Sequence, residues 1–413
     1  MKLARLGVVV FVLLIANLVY ASDWPQYLGP NRNAVSDEKG LMRSWPEKGP
    51  EVLWTIPLGK GFGGPAVSEG KVYIYDRVDN KENVLRCLDI ETGREEWSFS
   101  NKVAGSYSFP GSRSVPTIDG NRIYVCDPFG NLHCLDKNSH QVIWHKNIWT
   151  DFGGGKLPRW VIAQNPLIFE NRVILASQTQ KAGVVAYDKQ TGDLLWTTPP
   201  LPGKPGYVTP ALVKISGEDH LVMISVDGVA GFDPRSGASL WSYDGWKCRI
   251  PVPNVTEIGD NRLFVTGGYN AGSAIIRIEK DGDTYVAKEL LRSKEFGTHV
   301  HPPVLYKDHL YGHCSTNDVL DGMVSMDLNG TVKWKTKKAP LFERGGFILA
   351  DDMIISVDGK KGTLYLIEPT PAGFKPLAKA KLLDTKESWA PLALSNGKLL
   401  IRDQKQMKCV LLK

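Results

Sequence analysis

Four of the eight histidines crowd into one stretch, FGTHVHPPVLYKDHLYGHC (296–314). Imidazole is a common ligand for transition metals. His299 and His301 would face the same side of an extended segment, as a metal pair needs. No carboxylate at a suitable spacing accompanies them, and His309 sits in a turn position filled elsewhere by Lys71, Arg122 and Arg262. His299, His301, His309 and His313 therefore read as surface or mouth residues, with no metal. EKDGDTY (279–285) has the look of a calcium loop but lacks its ligand series, and reads as a hairpin turn. GGGKLPRW (153–160) lacks the Lys-Ser/Thr and helix of a phosphate loop. No nucleophile stands beside a base, so no catalytic residue is assigned.

Six cysteines could pair or stay free. Cys87, Cys134 and Cys409 share a repeat slot that is Ala186, Gly231 or Ser325 elsewhere. A slot that accepts Ala, Gly and Ser wants small volume, which favours buried free thiols. Cys126 and Cys134 flank the turn DPFGN and are the candidate exception.

That slot belongs to a recurring element. CLDIETGREEW (87–97), CLDKNSHQVIW (134–144), AYDKQTGDLLW (186–196) and GFDPRSGASLW (231–241) keep a small residue, then Asp, Ser or Thr, and Trp at fixed offsets; SMDLNGTVKW (325–334) is one residue shorter. Ahead of each lies a Pro, a turn and a β-rich run, as in PAVSEGKVYIY (65–75) and PTIDGNRIYVC (116–126). Each unit reads as four short strands, which excludes a helical solenoid. The 41 Gly and 26 Pro suit such a turn-rich, all-β chain.

The tryptophans set the period. Trp54, Trp97, Trp144, Trp196 and Trp241 are 43, 47, 52 and 45 residues apart, and Trp334 follows after 93, two periods with one Trp lost around 288. The last unit, ending in MKCVLLK, lacks its fourth strand, and EVLWTIPLG (51–59) is a Trp strand without the other three. Pairing 51–58 with 407–412 completes an eighth unit and closes a ring without exposed sheet edges. The expected fold is an eight-bladed β-propeller closed by an N-terminal strand.

In a propeller, ligands sit where the crossings between blades meet the channel. Each crossing precedes a Pro strand, and the bulky residues there are Phe62, Arg113, Trp160, Tyr207, Arg249, His299 or His301, Arg344 and Trp389. Aromatic and cationic groups dominate. They suit a planar or sugar-like ligand with negative charge, held by stacking and bidentate guanidinium contacts.

The A-x-D-x-x-T-G-x-x-x-W pattern resembles the tryptophan-docking repeat of quinoprotein (PQQ-like) propellers, over about residues 50–413. That family includes PQQ-dependent dehydrogenases and the outer-membrane-assembly lipoprotein BamB. DWPQYLGPNRNAVS is similar to the opening of many secreted bacterial members of unassigned role. WD40 repeats are excluded by the lack of any Trp-Asp dipeptide. The resemblance implies either a non-catalytic binding or scaffold protein for a protein or envelope component, or a dehydrogenase of an alcohol or sugar using PQQ with calcium. The family's vicinal cysteine pair and carboxylate-rich cation site are not visible here, which favours the first, with no cofactor.

The first 22 residues carry a basic start, an apolar core and VYA, a secretory leader, with no Cys after it for lipid attachment. Residues 23–50 are then an N-terminal extension, and 51–413 the propeller. Without Lys2 and Arg5 the formal charge falls from +6 to +4, too little to argue for nucleic acid. The reading is a monomer, exported to the periplasm or beyond, that does not span a membrane.

Overall fold

A computed structural model describes residues 23–314 and 321–413; the expected leader, 1–22, lies outside the described residues. Eight sheets follow one another around a channel: blades 1 to 7 cover 66–102, 117–147, 167–197, 211–243, 256–293, 304–335 and 347–381. Blade 8 joins 393–411 to the N-terminal strand Val52–Pro57. That strand runs antiparallel to Gln406–Leu411, with Trp54 opposite Cys409 and Ile56 opposite Met407. The ring is closed as the strand count requires.

Burial explains the strand sequences. Lys71–Val78 (KVYIYDRV) is covered on both faces by neighbouring blades and is buried except at its ends. Glu95–Lys102 (EEWSFSNK), the outer strand of the same blade, is exposed at alternate positions from Glu96 to Asn101's neighbour Lys102 and carries the polar residues. Inner strands therefore read as apolar runs and outer ones as alternating patterns.

The Trp motif joins one blade to the next. Trp54 donates its indole N–H to the Ile90 carbonyl (2.8 Å), Trp144 to Lys189 (3.3 Å) and Trp334 to Thr370 (2.8 Å), each on the following blade. Beneath Trp54 lies Gly93, with φ +69° and a would-be Cβ only 2.7 Å from the indole. The motif glycine thus makes the left-handed turn and leaves room for the previous blade's Trp. In blade 2 the same position is His140, stacked on Trp97 at 4.3 Å. The motif Asp binds its own turn: the Asp89 carboxylate accepts from the Thr92 N–H (3.0 Å) and hydroxyl (2.8 Å).

The small residue faces its own blade's Trp across the strand pair: Cys87 opposite Trp97, Ala186 opposite Trp196, Gly231 opposite Trp241. In the two blades without the Trp, the slot grows. Ile275 faces Leu291, which is the true position of the missing Trp, and Leu366 faces Ala378. Volume is conserved across the pair, as close packing demands. All six cysteines are buried and free, Cys126 and Cys134 included.

The N-terminal extension is not pendant. Trp24 bridges to Val67 of blade 1, Ile118 of blade 2 donates to the Pro25 carbonyl (2.8 Å), and Arg32 donates to Ile168 of blade 3 (2.6 Å). Val35–Ser36 then pairs in parallel with the innermost strand of blade 7. Residues 23–36 therefore cross the channel, bonded to the inner strands of four blades.

Candidate ligand site at the channel mouth

The crossings between blades converge on a cavity of about 240 Å³. Eight of the residues expected at the mouth line it: Phe62, Arg113, Trp160, Tyr207, His299, His301, Arg344 and Trp389. Arg249 stands beside it at the exposed rim, with its guanidinium 5.1 Å from the ring of Tyr269, another lining residue.

One wall is aromatic. Phe62 and Trp389 have ring centroids 5.3 Å apart, and Phe109 lies 5.7 Å from Trp389. Phe109 is 40% exposed and adopts φ +55°. A bulky residue held in the left-handed region at the edge of a cavity is stored strain of the kind found at binding sites. On another side Trp160 and Tyr207 lie 5.5 Å apart, and the Tyr207 hydroxyl accepts from the Trp160 backbone N–H (3.2 Å).

Two guanidiniums face this cavity in different electrostatic states. Arg344 is paired with Glu343 (2.9 Å) and donates to His299 Nδ1 (3.0 Å), its head 5.2 Å from the Trp389 ring. Arg113 donates to the carbonyls of Gly111 (2.8 Å) and Phe109 (2.7 Å) and lies 5.5 Å from the Phe62 ring. It makes no ion pair among the described residues. Burial pushes its pKa down, the mark of a cation held without an acidic partner. Among the described residues no carboxylate lines the cavity.

The four clustered histidines separate. His299 stacks on Tyr269 (4.4 Å), and a methyl on Gly268 would fall 1.7 Å from its ring, so glycine is required there. His301 Nε2 donates to the Trp389 carbonyl (2.8 Å), and burial lowers its pKa to about 4, so it is neutral at physiological pH. His309 opens the strand His309–Cys314 just after a turn, bonded to the Lys307 carbonyl. His313 corrects the expectation of a surface or mouth role: it is buried, bonded to Ser356 (2.9 Å) and stacked on Phe342. Period-two alternation places His299 and His301 at the mouth, but His313 follows a turn and enters the covered second strand of its blade.

Choosing one bulky residue per crossing missed Phe109, Tyr269 and Tyr27. Tyr27 comes from the extension and forms part of the floor. The choice also missed Glu343, whose carboxylate accepts from the Trp389 indole N–H (2.7 Å) while pairing Arg344.

Calcium-bound PQQ can be tested against this donor set. Calcium takes six to eight oxygens, carboxylates among them. Here the side-chain amide and hydroxyl of Asn165 and Thr209 are already bonded, to each other (3.0 Å) and to the Val115 N–H (2.7 Å). Among the described residues no group of three or more His, Cys, Asp or Glu is arranged to hold a metal ion. The lining does not fit the cation.

A family model described as outer membrane protein assembly factor BamB matches residues 26–243 and 81–320. Quinohemoprotein alcohol dehydrogenase of Comamonas testosteroni is 28% identical over 209 residues, 46% of this chain but only 27% of that protein. Outer membrane protein assembly factor BamB of Moranella endobia (strain PCIT) is 21% identical over 336 residues, 76% of this chain and 70% of its own. Among solved structures, the Comamonas enzyme superposes with a TM-score of 0.67 at 13% identity, covering 94% of this chain and 80% of its own; at that identity the likeness is one of fold.

Proposed function

The chain belongs to the PQQ-like propeller family described as outer membrane protein assembly factor BamB, and on that premise we propose that it is an exported, non-catalytic binding protein for a protein or envelope component. The observation that carries this is Arg113, a guanidinium without an ion pair among the described residues, set against aromatic walls at an open mouth. A flat, negatively charged group fits there. Its charge would replace the missing carboxylate, and its faces would lie on Phe62 and Trp389. At the mouth His301 is neutral and donates to the Trp389 carbonyl, and Glu343 is engaged by Arg344 and Trp389.

The test is capture from envelope extracts at near-native salt, with the wild-type chain and Arg113→Ala as baits. A partner retained by the first and lost by the second supports the reading. No partner, or equal capture, counts against it.

The second reading, a PQQ-dependent dehydrogenase, draws on the 28% identity to quinohemoprotein alcohol dehydrogenase. Among the described residues the lining offers calcium no carboxylate. Dye reduction with PQQ and calcium across alcohols and aldoses would separate the two, and sustained turnover would reverse their order.

A further inference from the structure

The segment that closes the channel builds a second cavity, of about 350 Å³, on the far side from the mouth. Tyr27, Asn165 and Thr209 line both cavities and form the floor between them. The chemistry changes across that floor. Above it stand cations and aromatic rings. Below it, set among apolar residues, the polar side chains include Gln26, Asn31, Arg32 and Asn33 of the segment, with Asn254, Thr256 and Glu257 from blade 5 and its approach.

Amides dominate. Each presents a donor and an acceptor in one plane, and a sugar hydroxyl both donates and accepts, so the two are matched in kind. Arg32 and Glu257 are the charged groups of the lining, opposite in sign, so it carries no net charge. Both retain free valence. Arg32 donates from Nε to Gln26 (2.9 Å) and from one terminal nitrogen to the Ile168 carbonyl (2.6 Å), leaving the other terminal nitrogen uncommitted. One Glu257 oxygen accepts from the Lys214 N–H (3.2 Å). The side-chain oxygen of Asn254, a residue only 5% exposed, has no hydrogen-bond partner among the described residues. The ring of Tyr27 and the prolines 210, 302 and 303 add flat apolar faces for the C–H side of a pyranose.

The loop that presents the amides is strained. Leu28, Arg32 and Ala34 have φ of 61°, 55° and 59°. Left-handed geometry is unfavourable for residues other than glycine. Internal bonds hold it: the Ala34 N–H to the Leu28 carbonyl (2.9 Å), and the Arg32 N–H to Gly29 (3.1 Å). Of the three, Arg32 lines the cavity, while Leu28 and Ala34 are anchored in the core beside it.

We propose that this lower cavity is a second ligand site, one that takes a neutral saccharide unit. The test is a printed array of neutral and uronic-acid oligosaccharides, followed by titration calorimetry of the full chain with the best binder. Two variants decide the site. Asn31→Ala with Asn33→Ala removes two exposed amides, together with the bond that the Asn33 oxygen accepts from the Val35 N–H (3.0 Å), so circular dichroism must first show that the variant is folded. Arg113→Ala alters only the upper mouth. The expected result is binding of neutral sugars, weakened about tenfold or more by the double variant and held within about twofold by Arg113→Ala. No neutral sugar bound at millimolar concentration, binding indifferent to the double variant, or preference for the acidic oligosaccharides would each overturn it. Loss in Arg113→Ala alone would instead locate the sugar at the mouth.

Discussion

The Glu343 carboxylate bridges two mouth residues, accepting from the Trp389 indole at 2.7 Å and pairing with Arg344 at 2.9 Å. The bridge neutralises one guanidinium of the mouth and fixes the aromatic wall. Of the two guanidiniums that line the cavity, Arg113 is the one without an ion pair among the described residues. Glu343→Gln keeps an acceptor for the indole and releases the Arg344 charge. Titrated with anilinonaphthalene sulfonate, a flat anionic probe, this variant should bind about two- to fivefold tighter than wild type, the scale of a partly exposed ion pair. Unchanged or weaker binding would show that Arg344 does not face the ligand.

Gly93→Ala tests the docking of one blade on the next. The new methyl would sit 2.7 Å from the Trp54 ring in a backbone with φ +69°. Both the clash and the strain act on the closing blade. The expected loss is about 2 kcal/mol or more, read as a lower denaturant midpoint with an unchanged slope. Gly120→Ala, also at positive φ (+55°) but with open space around its would-be Cβ, should cost less.

Volume exchange across the strand pair predicts a coupling. Leu291→Trp alone crowds Ile275 and should destabilise by about 1–3 kcal/mol. Adding Ile275→Ala should recover most of that loss. A double-mutant cycle from chemical denaturation reads the coupling directly. Additive effects would mean that the small residue is not sized to the Trp.

The motif carboxylates govern the acid limb of stability. The Thr92 hydroxyl, followed by its N–H, holds the Asp89 pKa below 3.8; Asp327 is also lowered, against the opposing effect of burial, by Lys333 and its turn N–H groups. A carboxylate whose folded pKa lies below its unfolded value adds stability above the unfolded pKa. That stability is lost as pH falls through the folded one. Asp89→Asn should therefore cost stability at pH 7 and narrow its difference from wild type as pH drops below about 4. A constant difference across that range, measured by urea melts, would contradict this role.

The ring was legible in the sequence because its blades are joined by side chains. Trp, the glycine beneath it and the Asp-bound turn recur at fixed offsets, so the count of eight and the pairing of Trp54 with Cys409 could be read directly. The lost Trp could be placed only approximately, because a leucine at 291 carries no motif. The channel-crossing segment left no such trace. Its bonds to Val67, Ile118 and Ile168 are to backbone groups, which every residue type supplies. Tyr27 therefore stayed unassigned, and with it the floor of the mouth. Phe109 was passed over because the larger Arg113 shares its crossing, although the two are joined by a hydrogen bond from the guanidinium to the Phe109 carbonyl.

In the function proposed, the mouth binds an anionic flat group through Arg113. The most direct measurement is the affinity of the full chain for anilinonaphthalene sulfonate, wild type against Arg113→Ala, with circular dichroism confirming that both are folded. The expected result is saturable binding that quenches tryptophan fluorescence, since Trp160 and Trp389 line the cavity. At least about a tenfold loss is expected in the variant, the scale of a charge-assisted contact, with weakening as salt is added. Equal affinity of the two proteins, or no saturable binding by wild type, would contradict it.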